Sequence, residues 1–463
     1  MKRLLLLILL GISAVTISEA QSVDSVARNE YSGHFERPLA DVLREVERLF
    51  GVRFKTADVP VEGVMIPYAD FRIRPYSLEE TLQNIFIPLD YKWTLQKKNV
   101  YRIKPLEYYR RTPADGEKLL AWLHEKYHNK GEWEMRRAEL LKGFRTYLGI
   151  DSLLSLCVSP PNVVKGKYRK YDGYRVRNFA LETLPGLYVC GSIYMPTKRG
   201  RHPLIMMPAG HWAGARYNAD MQYRYASLAR AGAICVSFDL VGWGESEIQL
   251  GSGSHTAALS QPLQCLWGMK ILDWLLADCR DIDTTRIGVC GGSGGGTLSV
   301  FLTMLDDRYT AAAPVMSFTS HFDGGCPCES GMGTTRAAGG TCNTEYAATF
   351  APRPMLIVSD GGDWTASVPT LEYPFLQDIY GYYGAIDKVR NVHFPTERHQ
   401  FTPTKRKAVY DFFVEVFALD AERCNESKVS IETPEQLQSF GAIQNFPSGA
   451  LRSFEELQSL IKH

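Results

Sequence analysis

The chain has 463 residues, 45% of them apolar and 22% charged, which is ordinary globular usage and excludes wholesale disorder, collagen and coiled coil. At ~100–200 residues per domain, at least two domains are expected. The 52 basic residues nearly balance the 51 acidic ones. No stretch is strongly basic, so a nucleic-acid partner, which is held by clustered positive charge, is disfavoured. Ten cysteines are too sparse for a disulfide scaffold, and no CxxC pair suggests a zinc knuckle.

In chain order, Lys2 and Arg3 precede an apolar run from Leu4 to Val15, and Ser18-Glu19-Ala20 offers small residues at the two positions a signal peptidase inspects. This pattern predicts a secretory signal peptide over residues 1–20. The run is short of the ~20 residues needed to span a bilayer. No cysteine follows it for lipid attachment, so a periplasmic or secreted protein with no membrane span is expected. Removing Lys2, Arg3 and Glu19 leaves the two signs of charge equal.

Residues 21–105 read as a small α+β domain. Leu39, Val42, Leu43, Val46, Leu49 and Phe50 share one helical face, with Gly51 as the stop. Short strands are expected over residues 52–54 and 63–66. Ser77 with Glu80 forms a capping box before a second helix, and a hairpin turns around Lys97-Lys98-Asn99. No Ser/His/Asp set, metal cluster or phosphate loop falls here. Residues 106–150 read as a helical connector, broken at Gly131.

Residues 151–420 alternate strand and helix. An antiparallel pair joined at Pro185-Gly186 is followed by buried-type strands over 204–207, 233–238, 287–290, 311–316, 355–359 and 389–394. Short apolar runs separated by helices predict an α/β fold with a mostly parallel, doubly wound sheet. Ligands of such sheets lie at the carboxyl ends of the strands. Residues 421–463 read as an extension with a short strand and a capping helix.

The central signal is Gly291-Gly292-Ser293-Gly294-Gly295 between the strand RIGVC and the helix GGTLSVFLTML. This is a GxSxG nucleophile elbow in its strand–turn–helix context. The turn lifts the Ser293 hydroxyl above the sheet and aims the Gly294 N–H, at a helix N-terminus, toward a developing oxyanion. A nucleotide-binding GxGxxG frame fails at Thr297, and no GxxxxGK[ST] occurs.

A serine hydroxyl needs a base to take its proton. In the hydrolase order of serine, acid, histidine, Asp363 follows the strand MLIVSD and His399 follows VRNVHFP. Asp363 is assigned as acid and His399 as base, with Asp360 and His393 as rivals nearer their strand ends. A second oxyanion donor is expected from the backbone of His211 or Trp212, in MMPAGHWAG. His211 is also a candidate substrate contact. Asp239, Gly242, Gly244 and Ser246 form a D-x-x-G-x-G-x-S turn, read as structural. Trp212, Trp243 and Trp364 sit in loops at the same sheet edge. Trp243 and Trp364 are the candidates to receive a sugar ring or acyl group. The run Lys405-Arg406-Lys407 reads as the solvated face of a helix.

Two resemblances follow. Residues 21–105 resemble the secretin/TonB short N-terminal domain through PLADVLREVERLFGVRF, SLEETLQNIF and YKWTLQKKNVYRIKP, which implies an interaction module with an envelope partner. From about 130 to 420 the chain resembles acetyl xylan esterase-like α/β-hydrolases of exported polysaccharide degradation, through GGSGGGT, LDDRYTAAAPV, GGCPCES, APRPMLIVSDGGDWT with VPTLEYPF, and VHFPTERHQFTPTKRKAVYDFF. That resemblance implies Ser293, Asp363 and His399 as triad and an acylated carbohydrate as substrate, often acetylated. Arg398, before the histidine, departs from the small residue usual there. In an oxidising compartment Cys326 or Cys328 can pair with Cys342; adjacent pairing is sterically poor, and free thiols are the alternative. The chemistry expected is serine ester hydrolysis, with no metal or organic cofactor required. A uronate methyl esterase, a peptidase and a non-catalytic glycan-binding sensor are the alternatives.

Overall fold

A computed structural model describes residues 35–105, 111–212, 214–321, 326, 328–329 and 333–462. The expected signal peptide lies outside the described residues. The chain divides into two compact units, residues 1–108 and 109–463.

In the first unit, helix Leu39–Phe50 ends at Gly51 in the left-handed region (φ 63°), a backbone that glycine adopts without penalty. Helix Leu78–Phe86 is capped by Ser77, whose hydroxyl accepts from Glu80 N–H. Strands Tyr91–Lys97 and Val100–Pro105 form the hairpin, and Arg53–Lys55 adds in parallel to the second of them. The two helices and the sheet bury Leu39, Val42, Val46, Leu82, Ile85, Phe86 and Ile103 as one core.

The second unit holds a ten-stranded sheet. From one edge its path runs Val389–Phe394, Met355–Asp360, Ala311–Val315, Ile282–Gly292, His202–Met206, Ile234–Phe238, Leu187–Pro196, Tyr174–Leu184 and Val163–Lys165, with the tenth strand, Arg169–Lys170, paired to Tyr174–Leu184 off this path. The first six are mutually parallel, and the rest pair antiparallel. Helices cover both faces, over separate apolar cores. This is the mostly parallel, α/β-hydrolase arrangement implied by the sequence. The strands Met206, Gly292, Val315, Asp360 and Phe394 terminate point their carboxyl ends to one side, where the loops carrying His211, Ser293, Asp363 and His399 emerge.

Three regions differ from expectation. In the stretch read as a connector, both helices, Pro113–His124 and Lys130–Leu148, sink Leu120, Leu123, Trp133, Leu140 and Phe144 into the main core. The Arg136 guanidinium makes a buried ion pair with Glu345 at 2.8 Å. Gly131 does not break the helix; Asn129 caps its start, accepting from Glu132 N–H at 3.1 Å. Among the described residues of the extension, 421–462, there are short helices and no strand, and they are tied to the body of the domain. Glu432 is buried against Arg169, and the buried carboxylate of Glu245 accepts from the backbone N–H groups of Ser439, Phe440 and Gly441. The basic run at 405–407 is not a solvated face. Lys405 is fully buried, Arg406 is 6% exposed and ion-paired to Glu426, and only Lys407 lies on the surface.

Candidate active site

The strand Ile282–Gly292 ends where the helix Gly294–Leu305 begins, and Ser293 is the hinge. Its backbone sits at φ 55°, ψ −125°, a strained conformation for a non-glycine residue. Glycines flank it because three rings close in, two beside Gly292 and one beside Gly294. A Cβ on Gly292 would come within 2.9 Å of the Trp212 indole and 2.8 Å of Phe401. A Cβ on Gly294 would come within 2.4 Å of the His211 imidazole. The Gly294 N–H opens the helix and has no carbonyl four residues back to bond.

His399 and Asp363 are brought together: Nδ1 of the imidazole lies 2.5 Å from Oδ2 of the carboxylate. Asp363 is an N-cap, and its other oxygen accepts from Thr365 N–H at 2.6 Å and Thr365 Oγ at 2.5 Å. Burial works to raise the carboxyl pKa, but the hydrogen bonds from His399 and Thr365 outweigh it and hold the group below its ordinary range. The His399 ring stacks on Trp212 with centroids 5.9 Å apart and lies 4.5 Å from Trp364. Trp212 therefore touches both His399 and the backbone just before Ser293.

The rivals are engaged elsewhere. Asp360 is fully buried and bound by the Lys405 ammonium, which also donates to the carbonyls of Arg398 at 2.7 Å and Gln400 at 3.0 Å. His393 lies within its strand and bonds Ser359 Oγ at 2.9 Å through Nδ1.

Of the two oxyanion candidates, the Trp212 N–H is spent on the Gly210 carbonyl at 3.0 Å. Trp212 is thus removed as a donor, and the His211 N–H is left. The candidate platforms Trp243 and Trp364 lie against different histidines. Trp364 anchors its indole N–H on the Ser317 carbonyl at 3.1 Å and turns its ring to His399. Trp243 stacks on His211 at 5.9 Å and meets His255 edge-on at 5.7 Å. The 239–246 turn is structural: Asp239 accepts from Arg216 Nε at 2.8 Å and Glu245 N–H at 3.0 Å, and Gly242 N–H donates to Ser246 Oγ at 2.8 Å.

Around His211 lies a second cluster that the sequence did not announce. Cys328 Sγ is 3.2 Å and Cys326 Sγ 3.7 Å from His211 Nε2; His255 Nε2 is 3.7 Å from Cys328 Sγ. The buried carboxyl of Glu329 stands 3.6 Å from His211 Nδ1, too far for a hydrogen bond. Burial pushes the Glu329 pKa up to about 8, so this acid is neutral. Burial, helped by the nearby His255 and His399, pushes His211 down to about 3. Cys326 is joined to Cys328, and Cys342 is a buried free thiol. The expected staple to Cys342 is not formed, because the two nearer sulfurs both turn toward the imidazoles. His255 carries no motif, sitting in a Gly/Ser-rich segment, and only the fold brings it here.

Among known proteins, the structure of the methylesterase BT1017 matches with 56% identity over 93% of this chain and 96% of that chain, at a TM-score of 0.84. A putative acetyl xylan esterase from Bacteroides fragilis NCTC 9343 matches at 16% identity over 65% of this chain and 85% of its own, with TM-score 0.45. A glucuronoyl esterase from Solibacter usitatus matches at 15% identity over 62% and 93%, with TM-score 0.44. A family model for X-Pro dipeptidyl-peptidases (S15 family) matches residues 187–354, less than half of the chain. No curated protein matches it.

Proposed function

The chain belongs to the family of the methylesterase BT1017, an α/β-hydrolase acting on esters, and from that premise we propose that it is an exported serine hydrolase of carboxylic methyl esters on uronate-bearing glycans. The observation that carries this reading is the 56% identity to a methylesterase over nearly the whole chain. It moves the uronate methyl ester ahead of the O-acetyl substrate favoured by the sequence motifs.

In this reading Ser293 Oγ attacks the ester carbonyl carbon while His399 Nε2 takes its proton. Asp363, ionised and bonded to Nδ1, fixes the tautomer and stabilises the imidazolium. The N–H groups of Gly294 and His211 receive the negative charge that forms on the carbonyl oxygen. Collapse expels methanol, protonated by His399, and leaves the uronyl group esterified to Ser293. Water, deprotonated by His399, then attacks that acyl-enzyme and releases a uronate carboxylate. Trp364 flanks His399 as a face for the sugar ring, and Trp243 lines the site beside His211. The first unit is read as a secretin/TonB-like module for an envelope partner, without a part in the chemistry.

The test is product release from methyl-esterified and O-acetylated glycans by wild type and Ser293→Ala. Methanol released by wild type alone supports the reading. Acetate without methanol restores the O-acetyl esterase, and unchanged turnover in Ser293→Ala removes the serine mechanism. The S15 match over residues 187–354 favours a peptidase as a second reading. Cleavage of an X-Pro dipeptide substrate with no ester turnover would support it.

A further inference from the structure

The ligand-type atoms of His211, His255, Cys326 and Cys328 all lie within 4.8 Å of one another. They come from three separate segments: the loop after strand His202–Met206, the turn Ser252–Thr256, and the residues around Cys328. At Zn–S of about 2.3 Å and Zn–N of about 2.0–2.1 Å, neighbouring ligand atoms of a tetrahedral site stand about 3.3–3.8 Å apart. Three of the four sulfur–nitrogen separations here are 3.2, 3.7 and 3.7 Å, and the fourth, Cys326 to His255, is within 4.8 Å. We propose that His211 Nε2, His255 Nε2 and the thiolates of Cys326 and Cys328 bind one zinc(II) ion beside Ser293.

The second observation is the orientation of the imidazoles. His255 Nδ1 lies 2.7 Å from the Val241 carbonyl, which only accepts, so Nδ1 carries the proton and Nε2 presents its lone pair to the sulfurs. A backbone carbonyl behind the distal nitrogen is the usual arrangement of a metal-ligating histidine. With the sulfurs joined as cystine, this buried lone pair faces sulfur that has no proton to give. A metal ion, or a thiol, satisfies it. The cysteine pair with two imidazoles is also the soft, S2N2 donor set that selects zinc over calcium or magnesium. The backbone of the sulfur segment is itself anchored, since Gln261 Nε2 donates to the Cys328 carbonyl at 3.3 Å.

Binding starts from the two thiols as synthesised. Two S–H bonds break, two Zn–S bonds form with both electrons of each supplied by sulfur, and two protons leave to solvent; no electron is transferred. The cystine is the competing product, in which the thiols lose two electrons and two protons to a disulfide-forming oxidant. In the zinc form the ion ties the His211 loop, from which the proposed function draws an oxyanion donor, to the 252–256 turn and to Cys326 and Cys328. Its role is to position that loop.

The test uses tag-free full-length protein, reduced with a phosphine, given zinc(II) or cobalt(II), and freed of excess metal. Expected are one zinc per chain by elemental mass spectrometry, and a cobalt spectrum with tetrahedral d–d bands and a thiolate-to-metal charge-transfer band. His255→Gln and, separately, Cys326→Ser with Cys328→Ser should weaken zinc affinity by 100-fold or more. Wild type that retains no zinc and shows no thiolate–cobalt band overturns the proposal, as does undiminished zinc in the folded variants. The wild-type spectrum decides even where a variant does not fold. Metal content is read without ester turnover, so the site and the esterase reading stand or fall separately.

Discussion

Two imidazole–carboxyl pairs, His399 with Asp363 and His211 with Glu329, differ in how their carboxyls are held, and the proposed assignment of the base rests on that contrast. In the first pair, His399 touches Asp363 through a 2.5 Å hydrogen bond, and that carboxylate is held ionised by a second set of bonds from Thr365. In the second pair, Glu329 stands 3.6 Å from His211, with one oxygen lacking any hydrogen-bond partner and the acid neutral. Both carboxyls are buried. What differs is the number of donors that reach them, because desolvation alone raises a carboxyl pKa and only donors to the anion lower it. An ionised partner suits His399 to the role of base proposed for it. A neutral one leaves the other as a fixed ring with a free ligand atom.

The sharpest way to break this comparison is Ser293→Ala, for which ester turnover should fall by about 10^4- to 10^6-fold with folding intact. Unaltered turnover would transfer the chemistry to the other pair. Next in size, Asp363→Asn should lower kcat by about 10^4-fold, since an amide leaves His399 in the wrong tautomer. Glu329→Gln, its counterpart in the other pair, should cost less than tenfold in kcat. Equal losses for the two variants would erase the distinction drawn between the pairs.

A stability change follows. Lys405→Met leaves the Asp360 carboxylate buried and unpaired, and should destabilise the protein by about 3–5 kcal/mol in denaturant titration. Smaller still is a pH effect. Asp363 has a folded pKa below its unfolded one, so its contribution to stability is full above the unfolded value near 3.8 and is lost as pH falls through the lower folded value. The thermal midpoint of Asp363→Asn should therefore decline less than that of wild type on acidification below about pH 4. Parallel acid limbs would contradict the ionised state assigned to this group.

The elbow was legible in the sequence because it is a local object: five consecutive residues, each glycine forced by something within a few ångströms of it. The pairing of Asp363 with His399 was legible from chain order, since the fold brings their two loops together. Asp360 could not be set aside from sequence, because its cation arrives from Lys405 in a run that looks like a solvated helix face. Helix 403–417 turns that lysine inward and only Lys407 outward. Trp212 was an equal candidate donor until a turn hydrogen bond to Gly210 occupied its N–H. The His211–His255–cysteine cluster was invisible for a different reason. Its members are spread from residue 211 to residue 328, and a Cys-x-Cys spacing matches no common ligand motif. The helices over 113–148 showed their periodicity but not their destination, which depends on which surface they meet.

The buried Lys405 ammonium has a bearing on traffic through the site. Besides Asp360, it holds the carbonyls on both sides of His399, those of Arg398 and Gln400. Lifting that segment to admit a substrate would leave a fully enclosed cation with Asp360 but without two of its acceptors, at about 1.5–3 kcal/mol for each, so the open form would be populated under one time in a hundred. The wall that carries the base is thus bolted shut. A substrate must enter and leave past the indoles, and any gate this enzyme possesses has to hang on another side of the doorway.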